Sequence, residues 1–242
     1  MCYRYFLLKR DLQAAAEKLR ARLAVAFDSR YNLPPTTAVP AVRATGASGV
    51  REVALLQWGL VPGWAKERAT HGAALANARA ESLADKPAFR EAFRGRRCVL
   101  PASGFYEWET RGAQKLPWLF RRRNEQPLLL AGLWESWRAP EGDVLESCAI
   151  ITTEPNDLLR PIHDRMPAIL SPEDCDAWLD PAEQAPARTA PLLRPWPAAD
   201  MVAHRVSPRV NRVTCDDAEC VQPVEVTTDQ SAADGQLGLG LE

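Results

Sequence analysis

CVLPASGFYEW at residues 98–108, followed by LPWLF at 116–120 and LLLAGLW at 128–134, is the stretch on which the fold turns. Short runs of apolar, β-branched and aromatic residues are separated there by Gly, Pro and Asn, which predicts strands of a mostly antiparallel sheet or barrel. CAIITT at 148–153 and MPAIL at 166–170 extend the same texture. Upstream the pattern changes. Leu12, Ala15, Ala16, Leu19 and Leu23 recur at helical spacing behind Asp11, which suits an N-cap. Asn32-Leu33-Pro34-Pro35 breaks regular structure, a strand is expected over 53–60, and residues 87–94 suit a short helix with Pro in its first turn. A helix over 172–179 and a proline-rich connection over 181–197 follow. The reading is one α+β domain over residues 1–226, built on a mostly antiparallel sheet or barrel with flanking helices. A disordered tail of small and polar residues is expected over 227–242.

Composition narrows the function classes. No apolar run approaches the roughly 18 residues that span a bilayer, and charges interrupt the start MCYRYFLLKR at once, so neither a membrane span nor a signal peptide is expected. Free thiols are then the expected state of the cysteines. Cys98 and Cys148 sit in apolar runs as core residues. Cys215 and Cys220, with His204 upstream, lack a second matching pair, so no metal is expected. Net charge is −1, yet the only lysines are Lys9, Lys18, Lys66, Lys86 and Lys115, and every other basic residue is arginine. Arginine's planar fork grips phosphate and stacks on bases. A GC-rich genome produces the same bias through codon usage. A broad basic surface is excluded; a short arginine-lined groove is not.

Cys2 becomes the first residue if Met1 is removed. It then carries an amine of pKa about 8 and a thiol of pKa about 8.5 on adjacent carbons. That pair condenses with an aldehyde to a thiazolidine ring, which an internal cysteine cannot do; position two is equally compatible with an arbitrary residue. Glu107 lies among aromatics in Phe105-Tyr106-Glu107-Trp108. Burial there would raise its pKa toward that of a proton-transfer group, whereas strand alternation equally allows it to face water. His163, in Ile162-His163-Asp164-Arg165-Met166-Pro167, suits presentation on a loop or an ordinary surface position. Asn77 and Arg79 share a face if extended, as a grip for a sugar hydroxyl and a phosphate or as a polar edge. His71 and His204 read as structural.

A series of motifs runs in order along the chain: Met1-Cys2-Tyr3-Arg4, Arg30-Tyr31-Asn32, Trp58-Gly59-Leu60-Val61-Pro62-Gly63-Trp64 and Asn77-Ala78-Arg79-Ala80-Glu81. Cys98 to Pro101, Gly104 to Trp108, Ala131-Gly132-Leu133-Trp134, Ile151-Thr152-Thr153, His163 to Pro167, Val206-Ser207, Val210-Asn211 and Gln222-Pro223 continue it. Each alone is weak, but the ordered set, from residue 2 to about residue 224, resembles the SOS-response-associated peptidase (SRAP) family.

The resemblance implies a sensor of abasic sites in single-stranded DNA. Cys2 would be the nucleophile, with Asn77, Glu107 and His163 as catalytic companions. Arg4, Arg79, Trp64 and Arg165 match positions lining the DNA groove. It further implies a covalent thiazolidine crosslink, weak lyase activity, self-processing of the N-terminus, no cofactor, a monomer, and a cytoplasmic protein bound to the nucleoid when on DNA. Two other readings share these residues: an N-terminal-nucleophile cysteine peptidase and a non-catalytic single-stranded DNA-binding module. One departure stands out. The family start is usually Cys-Gly-Arg-Phe, and here Tyr3 puts a ring beside the nucleophile.

Overall fold

A computed structural model describes residues 2–46, 49–67 and 73–224. Its strands are β1 (Tyr5–Leu7), β2 (Ala21–Arg22), β3 (Arg30–Leu33), β4 (Ala38–Thr45), β5 (Val50–Trp58), β6 (Asn77–Arg79) and β7 (Arg97–Ala102). They continue with β8 (Gly104–Arg111), β9 (Gln114–Arg122), β10 (Leu128–Arg138), β11 (Val144–Thr153), β12 (Met166–Pro167) and β13 (Met201–Arg205). The helices are α1 (Lys9–Lys18), α2 (Arg90–Gly95), α3 (Pro172–Leu179) and α4 (Pro186–Thr189).

The larger sheet runs β12-β11-β10-β7-β4-β5-β2, with β6 alongside β11. A parallel pairing of Ser147 and Cys148 with Gln57 and Trp58 joins β11 to β5, so β5, β4, β7, β10 and β11 close on themselves as a barrel. Closure leaves those five strands without a free edge. Gly132 of β10 makes room for it: a Cβ there would meet the Leu100 Cδ1 at 2.3 Å and the Ala149 carbonyl at 3.0 Å. The smaller sheet, β13-β9-β8-β1-β3, is antiparallel throughout. Ser103 alone separates β7 from β8, and there the chain leaves the barrel for the second sheet. Gly104 fits this crossing because a Cβ would come within 2.6 Å of both the Phe120 carbonyl and the Phe6 ring.

All six residues of β7 are buried. Arg97 begins that strand and is itself buried. Its guanidinium donates to the carbonyls of Phe93 and Arg94 near the end of α2, and of Trp178, Asp180 and Glu183 at and beyond the end of α3. One cation thus satisfies the orphan carbonyls of two helix ends. On β1, Tyr5 and Leu7 enter the main core, while Phe6 joins Tyr106, Leu119, Val206, Val210 and Cys220 on the opposite face.

The α+β class, the mostly antiparallel pairing and the helix at 172–179 agree with the sequence reading. Four details differ. Asp11 does not cap α1: Leu8 holds the cap position without a side-chain bond, and the Asp11 carboxylate accepts from the Ser103 hydroxyl instead. Leu23 lies beyond the helix and is exposed. The expected strand at 166–170 pairs as a ladder only at Met166–Pro167, with one further bridge from Ile169 to Leu130. Strands β1, β3, β4 and β13 emerge in segments read as irregular or left unassigned, because their hydrogen bonds go to partners distant in sequence. The expected tail at 227–242 and His71 lie outside the described residues.

Candidate active site

Strand β1 sits between β3 and β8 and carries the N-terminal residues into the middle of the smaller sheet. Cys2, just before it, is wholly buried, and its Sγ lies 3.7 Å from the Arg4 carbonyl. That carbonyl also accepts from the Tyr106 amide. Burial pushes the Cys2 thiol up, so it is held neutral. From the other side Asn77 donates its Nδ2 to the Cys2 carbonyl at 2.8 Å. Asn77 is delivered by β6, which pairs in parallel with β11 at the rim of the barrel.

Glu107 takes the second face-sharing position after Phe105 on β8 and is 2% exposed, which settles the two readings the sequence left open. Burial pushes its carboxyl up to about 7. His163 ends a turn in which its amide donates to the Leu159 carbonyl. Its Nε2 stands 3.9 Å from the Glu107 Oε2. The Arg165 amide donates to its Nδ1 at 3.0 Å, so the neutral ring carries its proton on Nε2, toward Glu107. Burial holds the imidazole below its usual range, and Asp164, with its Oδ1 3.0 Å from Nδ1, opposes that. A carboxyl raised to about 7 beside an imidazole held below its usual range brings two proton carriers together.

Both residues line a cavity of about 530 Å³ with Tyr3, Arg4, Trp108, Lys115, Asp164 and Asn211. Carboxyl groups, one imidazole, one lysine and one arginine on its walls suit proton transfer and anion contact. No group of three or more His, Cys, Asp or Glu side chains suited to a metal occurs among the described residues.

The structure therefore gathers Cys2, Arg4, Asn77, Glu107 and His163, which the sequence had singled out from four separate segments. The remaining three stand differently. Arg79 is exposed at the end of β6, with no hydrogen bond or ion pair for its guanidinium among the described residues. Trp64 is 61% exposed, its Nε1 3.4 Å from the Pro87 carbonyl, and it does not line this cavity. Arg165 forks onto Glu81 at 2.8 and 3.0 Å and donates to the Thr152 carbonyl at 2.6 Å, so both its terminal nitrogens are already engaged, while its buried Nε has no hydrogen-bond partner among the described residues. Sequence reasoning missed Trp108, Lys115 and Asn211 as cavity walls. The Gly104 to Trp108 and Val210-Asn211 motifs carried a signal for Trp108 and Asn211, and nothing marked Lys115.

Residues 1–213 match the family described as SOS response associated peptidase (SRAP). The chain belongs to that family. Among its relatives, the abasic site processing protein YoqW of Bacillus subtilis is 40% identical over 186 residues, covering 76% of this chain and 82% of that one. The abasic site processing protein HMCES of Gallus gallus is 32% identical, covering 81% and 66%. A crystal structure of a Bacteroides thetaiotaomicron protein superposes with a TM-score of 0.82 at 28% identity, over 93% of this chain and all of that one. The SRAP match takes in all eight residues singled out as site positions.

Proposed function

We propose that this SRAP protein processes abasic sites in single-stranded DNA by capturing them covalently on Cys2 once Met1 is removed. The observation that carries this reading is the grip of Asn77 on the Cys2 carbonyl, beside a Glu107–His163 pair in one cavity. The relatives named as abasic site processing proteins supply the substrate class.

In this mechanism the Cys2 α-amine attacks the C1′ aldehyde of the ring-opened sugar. A proton leaves the nitrogen and one reaches the departing oxygen, so an imine forms and water is released. Glu107 and His163 carry those protons. The Cys2 thiol then adds across the C=N bond, its sulfur bonding to C1′ and its proton passing to nitrogen, which closes the thiazolidine. An imine that escapes closure allows β-elimination, hence weak lyase activity. Single-stranded DNA suits the cavity because an unpaired abasic sugar costs little to extrude. All the groups come from one chain, so a monomer suffices.

The relatives named as abasic site processing proteins favour this route over a general cysteine peptidase. Peptidase activity is then confined to the protein's own N-terminus. Cys2→Ala should abolish the stable adduct with an abasic oligonucleotide on a denaturing gel and leave non-covalent binding nearly unchanged. Cys2→Ser should give a more labile adduct and more strand cleavage. Undiminished crosslinking by Cys2→Ala rules the mechanism out. Turnover of peptides by the wild type, without a DNA adduct, points to the peptidase instead.

A further inference from the structure

Asn32, on β3, is fully buried, and its side chain reaches both ends of the chain. Its Nδ2 lies 3.1, 3.0 and 2.7 Å from the carbonyls of Val210, Arg212 and Cys215. Its Oδ1 accepts from the Arg4 Nη1 at 2.8 Å, and the same Nη1 reaches the Val210 carbonyl at 3.0 Å. Three carbonyls around the nitrogen and a guanidinium against the oxygen leave one orientation for the amide. Asp216 reinforces the contact by accepting from the Asn32 amide at 2.9 Å, the Tyr31 amide at 2.5 Å and the Arg30 guanidinium. Residues 208–216 thereby form a clasp across β3. The clasp also contributes Asn211, whose Oδ1 accepts from the Trp108 Nε1 at 2.6 Å on the cavity wall.

The consequence falls on Arg4. Of its five N–H donors, the two on Nη1 are committed to Asn32 and Val210, and the described residues engage none of those on Nε and Nη2. Its guanidinium also lies 6.0 Å from the centre of the Trp108 ring. A half-buried arginine fixed through one nitrogen, with the rest of its fork at a cavity wall, is preorganised for an anion.

We infer that Asn32 is a positioning residue, which with the clasp it anchors aims the Arg4 fork at a backbone phosphate of the captured strand. This rests on the proposed single-stranded DNA reading. It deepens that reading by assigning a contact to Arg4 and a cause for the contact to a residue that touches no DNA.

The test is the salt dependence of binding to an intact, abasic-free oligonucleotide, which reports phosphate contacts apart from the Cys2 chemistry. Losing one contact to a single strand lowers the slope of log K against log salt by about 0.7. Arg4→Ala and Asn32→Ala should each show that decrease, and the double variant should lose no more than either. A merely structural role for Asn32 weakens binding or lowers Tm without moving the slope; that outcome, or additive losses in the double variant, overturns the inference. Should Asn32→Ala fail to fold, Asn32→Asp gives the same readout, because its carboxylate neutralises Arg4, and an unchanged slope again overturns the inference. Absence of wild-type binding to single strands at every salt concentration is a separate signature: it removes the DNA reading and this inference with it.

Discussion

Glu107 and Phe105 occupy alternate positions on one strand, and nothing in that alternation says whether the carboxyl meets water or core. Tertiary packing decides it: Glu107 is buried, with the His163 Nε2 3.9 Å from its Oε2. The energetic consequence has a definite sign. With its folded pKa raised to about 7, Glu107 is protonated in both states at low pH. Between the unfolded value of about 4.3 and the folded value, the unfolded chain releases its proton first, so stability falls as pH rises and levels off above about 7. Glu107→Gln removes that penalty. The variant should match the wild type near pH 4 and exceed it by about 3–4 kcal/mol at pH 8, measured by urea unfolding at both values. The same substitution ends proton shuttling, so crosslinking should slow by roughly 10²-fold. A variant that is more stable and yet much slower separates a catalytic carboxyl from a structural one. Equal crosslinking rates would make Glu107 structural.

At the scale of elements, Arg97 shows how a short helix is held. Helix α2 spans only six residues and lacks a side-chain N-cap, so its own propensity leaves it marginal. A buried guanidinium collecting five carbonyls ties its end to the region following α3 and to the start of β7. Arg97→Ala should cost about 3 kcal/mol or more, because unsatisfied acceptors remain buried. Denaturant titration measures this, and a cost below about 1 kcal/mol would mean that water replaces the cation. The helix at 172–179 was legible because Ser171 caps it, accepting from the Asp174 amide at 3.0 Å, and Pro172 opens it. Helix α1 was legible by its face but not by its cap. Asp11 turns inward to a serine 92 residues away, which local spacing cannot show.

For the whole molecule, the barrel closes through two residue pairs between β5 and β11 and through the space left at Gly132. Gly132→Ala should destabilise by about 1–3 kcal/mol through overpacking. The nearest obstacle is the end of the Leu100 side chain, so adding Leu100→Ala should recover part of the loss; a double-mutant cycle with zero coupling would place the strain elsewhere. The amino-acid sequence by itself determined the α+β class, the core strands from β7 to β11, the family, and the identity of Cys2, Asn77, Glu107 and His163 as residues to watch. Those features reside in local periodicity, turn chemistry and ordered short motifs, all of which a linear chain displays. Only the tertiary structure decided that β1 and β3 are strands, that Glu107 is buried, that Arg165 is engaged by Glu81, and that Asn32 joins residues 208–216 to Arg4. Each depends on contacts between segments far apart in the chain, whose partners are chosen by barrel closure and packing rather than by neighbouring residues.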